Sequence, residues 1–359
     1  MTEKLEKKHI QLFIMCFVAY MLAYFGRVNL SVALPSMEQS GIFDISLLGY
    51  IGTAFFWIYA VGQLINGKSG DKIRLDLFIF WGLLISGLCN LLFGFTSITF
   101  LLIALWALNG LFQSMLWGPF MRIISRTFPE SKRKNAGLIM FLACILGYLL
   151  AYVGLSNLMA VTSFRYAFIL PGLLLMLYSF FWLFSNRKLD IVRHMEKSDT
   201  SYTALLKQKS VFLLVLLCIP LGFFREGVLL FGPLYLVKNF SLPFTQIMNQ
   251  AILIPILNLS GVLIAKYVSD RIKNIYLVIG SLFTVGMISF IAIFVTAGIS
   301  ITLSVICISF CSACFYGTTS LVTSTIPLRH KLTSSLSGLL DFFIYFGAGL
   351  TGFFFLFIS

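Results

Sequence analysis

Long apolar stretches separated by short charged islands run the length of the chain. Eleven of them lie at about 10–34, 45–66, 75–95, 98–121, 137–158, 165–185, 211–237, 246–268, 275–297, 300–327 and 335–358. Each holds roughly 20 residues, enough to cross ~30 Å of hydrocarbon as a helix. Lipid offers backbone N–H and C=O groups no water to bond, so stretches of this length satisfy themselves as helices. A membrane barrel would instead show strands of about 10 residues with alternating apolar and polar positions, and no such alternation is present. The pattern predicts an all-α membrane protein with 11 transmembrane helices.

Composition agrees and charge adds a direction. Hydrophobic residues make up 59% of the 359 positions and charged residues 11%, against about a quarter charged in a soluble domain. The net charge of +13 is concentrated in particular loops. Lys4, Lys7 and Lys8 precede the first stretch. Lys68, Lys72, Arg74, Arg126, Lys132, Arg133, Lys134, the run from Arg187 to Lys209, Lys266, Arg271, Lys273, Arg329 and Lys331 follow even-numbered ones. Only Arg165 and Lys238 fall in the opposite loops. By the excess of Lys and Arg on the inner side, this predicts a multi-pass protein of the cell (inner) membrane with its N-terminus in the cytoplasm. No basic face is left over for nucleic acid. The first stretch is too long for a cleaved signal and has no small-residue cleavage site, so it is expected to be retained.

All seven cysteines fall inside apolar stretches, where free thiols pack as small apolar groups. His9, His194 and His330 lie at predicted cytoplasmic positions. Neither a zinc spacing nor a Gly-rich phosphate loop occurs, so no enzyme, metal, cofactor or ATP-driven pump is expected.

The longest polar segment, 186–210, divides the stretches into six and five. It is read as a cytoplasmic linker between a six-helix bundle at 1–185 and a second bundle at 211–359. Two features recur at nearly one offset. Arg27 stands eight residues before Pro35, as Arg225 stands eight before Pro233, 198 positions later. Asp71-Lys72, in the turn after stretch 2, matches Asp270-Arg271 after stretch 8, 199 positions later. Internal repeats of this kind build many secondary transporters, with the substrate site at the repeat interface near mid-membrane. Asp71, Lys72, Asp270 and Arg271 are therefore a predicted cytoplasmic gate.

Charges inside the stretches are few and costly, at ~2.5–3.5 kcal/mol each on insertion scales, and so tend to face a pathway. Arg27, Arg225, Glu226 and Asp341 are such residues. Tyr20, Tyr24 and Arg27, at i, i+4 and i+7, share one helix face. A guanidinium grips a phosphate or carboxylate through two parallel hydrogen bonds, so two repeat-related arginines converging on one small anion are the predicted binding site. The bland alternative pairs each arginine with Glu226 or Asp341 for structure alone.

The loop signature, a Gly shortly before an Asp-basic pair, resembles that of the major facilitator superfamily. The strings Ala23-Tyr24-Phe25, Arg27-Val28-Asn29 and Ala33-Leu34-Pro35, the string from Leu108 to Pro119, and Arg225, Gly227, Val228, Pro233, Tyr235 and Leu236 look like the organophosphate:phosphate antiporters within that superfamily. The resemblance implies a two-bundle repeat of 12 helices and exchange of a phosphorylated metabolite for inorganic phosphate. It implies that Arg27 and Arg225 are the phosphate-binding pair, with Tyr24 lining the site. Four positions depart from the family. Gln63 and Leu146 take the places of a lysine and a histidine of the glycerol-3-phosphate members, and Glu226 and Asp341 stand where the family is usually uncharged. The repeat also predicts a helix ending near 383, and the sequence ends at Ser359.

These readings predict a monomeric secondary transporter of a small organic anion. Two alternatives are a proton-coupled symporter, with Asp341 or Glu226 as the coupling acid, and a membrane sensor of a sugar phosphate that signals without transport.

Overall fold

The computed structural model describes residues 6–41, 45–69, 73–189, 202–240, 244–296, 299–329 and 333–358. Helix occupies each apolar stretch predicted above, and no strand occurs among the described residues. Nine helical segments among them are long and apolar enough to cross a membrane.

Four stretches are single helices in the first half: α1 (Lys7–Gln39), α2 (Ile45–Ser69), α3 (Leu75–Phe95) and α8 (Tyr166–Leu189). The fourth stretch breaks into α4 (Thr99–Gln113) and α5 (Trp117–Thr127), and the eighth into α11 (Phe244–Ala251) and α12 (Leu253–Arg271). Both breaks have one cause. Pro119 and Pro255 have no N–H to give the carbonyl four residues back, at Met115 and Ala251, and each helix parts beside that carbonyl. The fifth stretch runs as α6 (Glu130–Leu149), a π-helical segment Leu150–Leu155 and α7 (Ser156–Val161). The tenth runs as α14 (Ile301–Ser320), a π-helical segment Leu321–Thr325 and α15 (Ile326–Leu328). Here Pro327 removes the bond to Thr323, inside the widened turn. The remaining helices are α9 (Tyr202–Leu206), α10 (Lys209–Asn239), α13 (Ile275–Thr296) and α16 (Thr333–Ile358).

The stretch expected as a linker from 186 is helical as far as Leu189, because α8 outruns its apolar core. Residues 190–201, with His194, lie outside the described residues. α9 then returns to the helices: Leu205 is buried, and the Tyr202 hydroxyl donates to the Leu64 carbonyl at 2.7 Å.

Helix contacts repeat between the halves. α1 packs on α6 as α10 packs on α16, α2 on α4 as α12 on α14, and α3 on α4 as α13 on α14. α2 against α16, α1 against α10 and α6 against α12 join the two sets. Ser31 Oγ donates to the carbonyl of Leu229 at 2.7 Å. These residues are 198 apart, the offset of Arg27 from Arg225, so repeat-equivalent positions meet where α1 and α10 touch.

α8 packs on both α3 and α1. The corresponding faces of α13 and α10 border an apolar groove of about 540 Å³ lined by Phe223, Phe224, Phe231, Phe290 and Phe294.

Small residues set the closest approaches, as is common between helices in lipid. A Cβ on Gly222 would stand 1.7 Å from the Ile344 carbonyl oxygen, and one on Gly347 would stand 2.0 Å from that of Ile219. Only glycine lets α10 and α16 come this near. One turn away from the contact, the same approach brings Arg225 and Asp341 into one neighbourhood. A buried amide network does the same for α1. Asn29 Nδ2 donates to Asn90 Oδ1 at 2.8 Å and to the Ala167 carbonyl at 3.0 Å. Asn90 Nδ2 donates to the Gly26 carbonyl at 3.0 Å, and Gln113 Nε2 to that of Ala23 at 3.1 Å. These bonds tie α1 to α3, α4 and α8 on either side of Arg27.

Candidate functional site

Arg27 and Arg225 are both buried, at 8% and 3% exposure. An ionised side chain in that position needs a partner or a function, and the two arginines differ in what they have found.

Arg225 pairs with Glu226, the next residue along α10, through Nη2 and Oε1. Its Nε has no hydrogen-bond partner. Arg225 thus has the carboxylate partner that the alternative reading from sequence named. Arg27 makes no ion pair among the described residues, and its Nη2 is buried with no hydrogen-bond partner. Its guanidinium carbon instead faces four aromatic rings. Tyr59 and Tyr345 are each 4.6 Å away, Phe55 5.0 Å and Tyr24 5.2 Å. The ring quadrupoles supply part of the stabilisation that water gave up.

Tyr345 also lies 5.4 Å from the Arg225 guanidinium carbon, so one ring faces both cations. Tyr316 adds a second face to Arg225 at 5.6 Å. The two arginines predicted as a pair thus flank a shared tyrosine. Tyr24 lies where the sequence placed it, beside Arg27. Tyr20 is one layer behind: its ring stacks on Trp117 at 5.0 Å and meets Tyr24 edge-on at 5.0 Å.

A small cavity of about 30 Å³ touches Arg27, Ser31, Phe55, Trp106, Tyr148 and Glu226. Asp341 is buried at 5% exposure, one turn before Tyr345 on α16. It makes no ion pair or hydrogen bond among the described residues.

Beyond the cavity, an ion pair joins the two sets of helices at each end. On the side of the N-terminus of α1, Lys134 of α6 pairs with Asp270 of α12. Lys266 joins the same carboxylate at 3.5 Å from one turn earlier. At the opposite end Lys238 of α10 lies 3.4 Å from Glu38 of α1. Of the predicted gate, Asp270 takes part in this closure, while Arg271 stacks over Tyr267 of its own helix at 4.5 Å. Asp71 and Lys72 lie outside the described residues.

Sequence reasoning missed the aromatic enclosure and the two closing pairs. Part of it was signalled: Tyr345 is four residues from Asp341 and so shares its helix face. Tyr59, Phe55 and Lys134 carry no such mark, because their roles depend on which helices become neighbours.

The comparisons agree with this architecture. A bacterial homolog of the human lysosomal transporter Spinster, crystallised inward-facing and unoccupied, superposes with a TM-score of 0.73 at 15% identity, over 97% of this chain and 82% of that one; this is a likeness of fold. The probable hexose phosphate transport protein of Chlamydia pneumoniae is 32% identical over 135 residues, 36% of this chain and 30% of that protein. The membrane sensor protein UhpC of Escherichia coli K12 is 32% identical over 126 residues, 33% of this chain and 28% of that protein. The matched stretches thus span about a third of these curated relatives. The likeness to organophosphate carriers read from the sequence recurs in the first of these two. The family model for the Major Facilitator Superfamily matches residues 16–352, nearly the whole length over which the paired helices and the buried arginines are laid out, and the chain belongs to that superfamily.

Proposed function

We propose that the protein is a secondary transporter that carries a small organic anion, a phosphorylated metabolite exchanged for inorganic phosphate, by alternating access. One observation carries this reading. Arg27 is a buried cation in an aromatic enclosure with a guanidinium N–H unspent, beside a cavity and across Tyr345 from its repeat mate. A fold does not retain such a charge for packing, since aromatic faces offset only part of its desolvation. An anion entering from water would complete it with charge-assisted hydrogen bonds.

The moving parts in this reading are the halves 1–185 and 211–359. Ion pairs bridge them at both ends, with the Arg27 cavity between, so each end has its own closure. Breaking Lys134–Asp270 opens one end and breaking Glu38–Lys238 the other. The basic loops support an N-terminus in the cytoplasm of a cell whose inner membrane holds the chain, which makes Lys134–Asp270 the cytoplasmic closure.

The test is uptake by the full chain reconstituted in proteoliposomes. Labelled phosphate, glycerol 3-phosphate and hexose phosphates are offered with and without phosphate inside. Exchange requires uptake that depends on internal phosphate. Uptake driven by a proton gradient into phosphate-free vesicles would replace exchange by proton coupling through Asp341 or Glu226. The likeness to UhpC favours a second reading, a sensor: saturable binding of a sugar phosphate with no accumulation under any gradient would establish it instead.

A further inference from the structure

Four buried charged side chains gather about Tyr345: Arg27 and Arg225, with guanidinium carbons 4.6 and 5.4 Å from its ring, Glu226 beside Arg225 on α10, and Asp341 one turn before Tyr345 on α16. Their formal sum is zero, but they are not paired two by two. Arg225 and Glu226 neutralise each other in direct contact. That leaves Arg27, a cation among aromatic faces with Nη2 unsatisfied, and Asp341, a carboxyl group with no ion-pair or hydrogen-bond partner among the described residues. The two remain apart: Tyr59 of α2 meets Arg27 at 4.6 Å and, at 4.3 Å between ring centroids, Tyr345, which stands one turn from Asp341 on α16. The site thus presents one unfilled position for an anion and, nearby, one for a cation.

A simple dianionic phosphate ester fits this poorly. It would bring two negative charges to a set that already sums to zero, with a buried carboxylate one turn from the shared tyrosine at low dielectric, where like charges repel strongly. A ligand that carries its own cation removes the conflict, because its ammonium offsets Asp341 while its acid group meets Arg27. Each charge of the protein is then matched, and the desolvation of each is offset by a charge-assisted bond.

We infer that the ligand of this site is a compact zwitterion, a phosphate- or phosphonate-type acid with a protonated amine, whose acid group is held by Arg27 and whose amine is held by Asp341. This rests on the anion-binding reading of Arg27 above and narrows it. It assigns Asp341 a specificity role in place of a proton-coupling one.

The experiment compares two ligands of nearly equal shape, O-phosphoethanolamine and propyl phosphate, which differ by an ammonium in place of a methyl group. Each is titrated calorimetrically into the purified full-length chain, alongside inorganic phosphate. Wild type should bind phosphoethanolamine at least about ten-fold more tightly than propyl phosphate, as expected for one buried charge-assisted contact. Asp341→Asn should erase that preference by weakening phosphoethanolamine and improving propyl phosphate. Asp341→Glu, which keeps the charge, should retain it, so a folding defect in the first variant leaves the second as a test. Equal binding of the two ligands to wild type, or a preference that survives Asp341→Asn, overturns the zwitterion while leaving anion binding intact. If none of the three ligands binds wild type, or all bind Arg27→Lys as tightly, the underlying anion reading falls with it.

Discussion

Glu226→Gln separates a structural role of the Arg225–Glu226 pair from a competitive one. The side chains are 4% and 7% exposed, so solvent screens the pair little and its charge matters. Removing one partner of a buried pair costs ~3–5 kcal/mol when the other charge is stranded. Glutamine still offers Oε1 to the Arg225 guanidinium, so the loss belongs at or below the lower end of that range. The same change frees Arg225 for a bound anion. One added charge-assisted hydrogen bond is worth ~1.5–3 kcal/mol, a gain of about 10- to 150-fold in affinity. The expected result is a chain that unfolds at lower temperature without ligand, binds inorganic phosphate more tightly than wild type, and regains its melting temperature as phosphate is added. Thermal unfolding in detergent across a phosphate series reads both effects in one experiment. Weaker phosphate binding in Glu226→Gln would refute the competition between Glu226 and the anion for Arg225.

Arg27→Lys should weaken phosphate binding at least ten-fold while leaving membrane insertion intact, because an ammonium loses the planar two-pronged donor and its fit to the rings; the same calorimetric titration checks it, and an unchanged affinity removes Arg27 from the site. Asp270→Asn removes a cross-link between α6 and α12 that is partly exposed and so worth at most ~1 kcal/mol. It should shift the population of the opened end by no more than about five-fold, read as faster labelling of a cysteine placed in the cavity, with anion affinity within a few-fold of wild type; a large loss of affinity would place Asp270 in binding instead of closure. Gly222→Val should force α10 and α16 apart and lower the melting temperature by the overpacking cost of ~1–3 kcal/mol or more, whereas Gly280→Ala, where a Cβ meets nothing within 4 Å, should be neutral or stabilising; equal effects of the two would show that the close approach is not limiting.

Membrane residence, helical class, the positions of the apolar stretches and the buried standing of Arg27, Arg225, Glu226 and Asp341 were all legible in the chain itself. They depend on local quantities: the length of an apolar run against the thickness of hydrocarbon, and the cost of one charge within it. The repeat was legible for a related reason, since equivalent residues keep their spacing, and Arg27 and Arg225 do so at 198 positions. Tertiary structure alone decided how those charges divide. From sequence Arg27 and Arg225 looked alike. In space Arg225 is neutralised by its neighbour Glu226, while Arg27 is enclosed by Tyr59 and Phe55 of α2 and Tyr345 of α16, residues brought to it from elsewhere in the chain. Asp270 likewise was legible as part of a cytoplasmic gate but not by its partner, and its closest cation proved to be Lys134, 136 residues away. Pairing falls off over a few ångströms, and separations that short between distant segments are fixed by helix packing, here by glycines such as Gly222 and Gly347 that admit a neighbouring backbone.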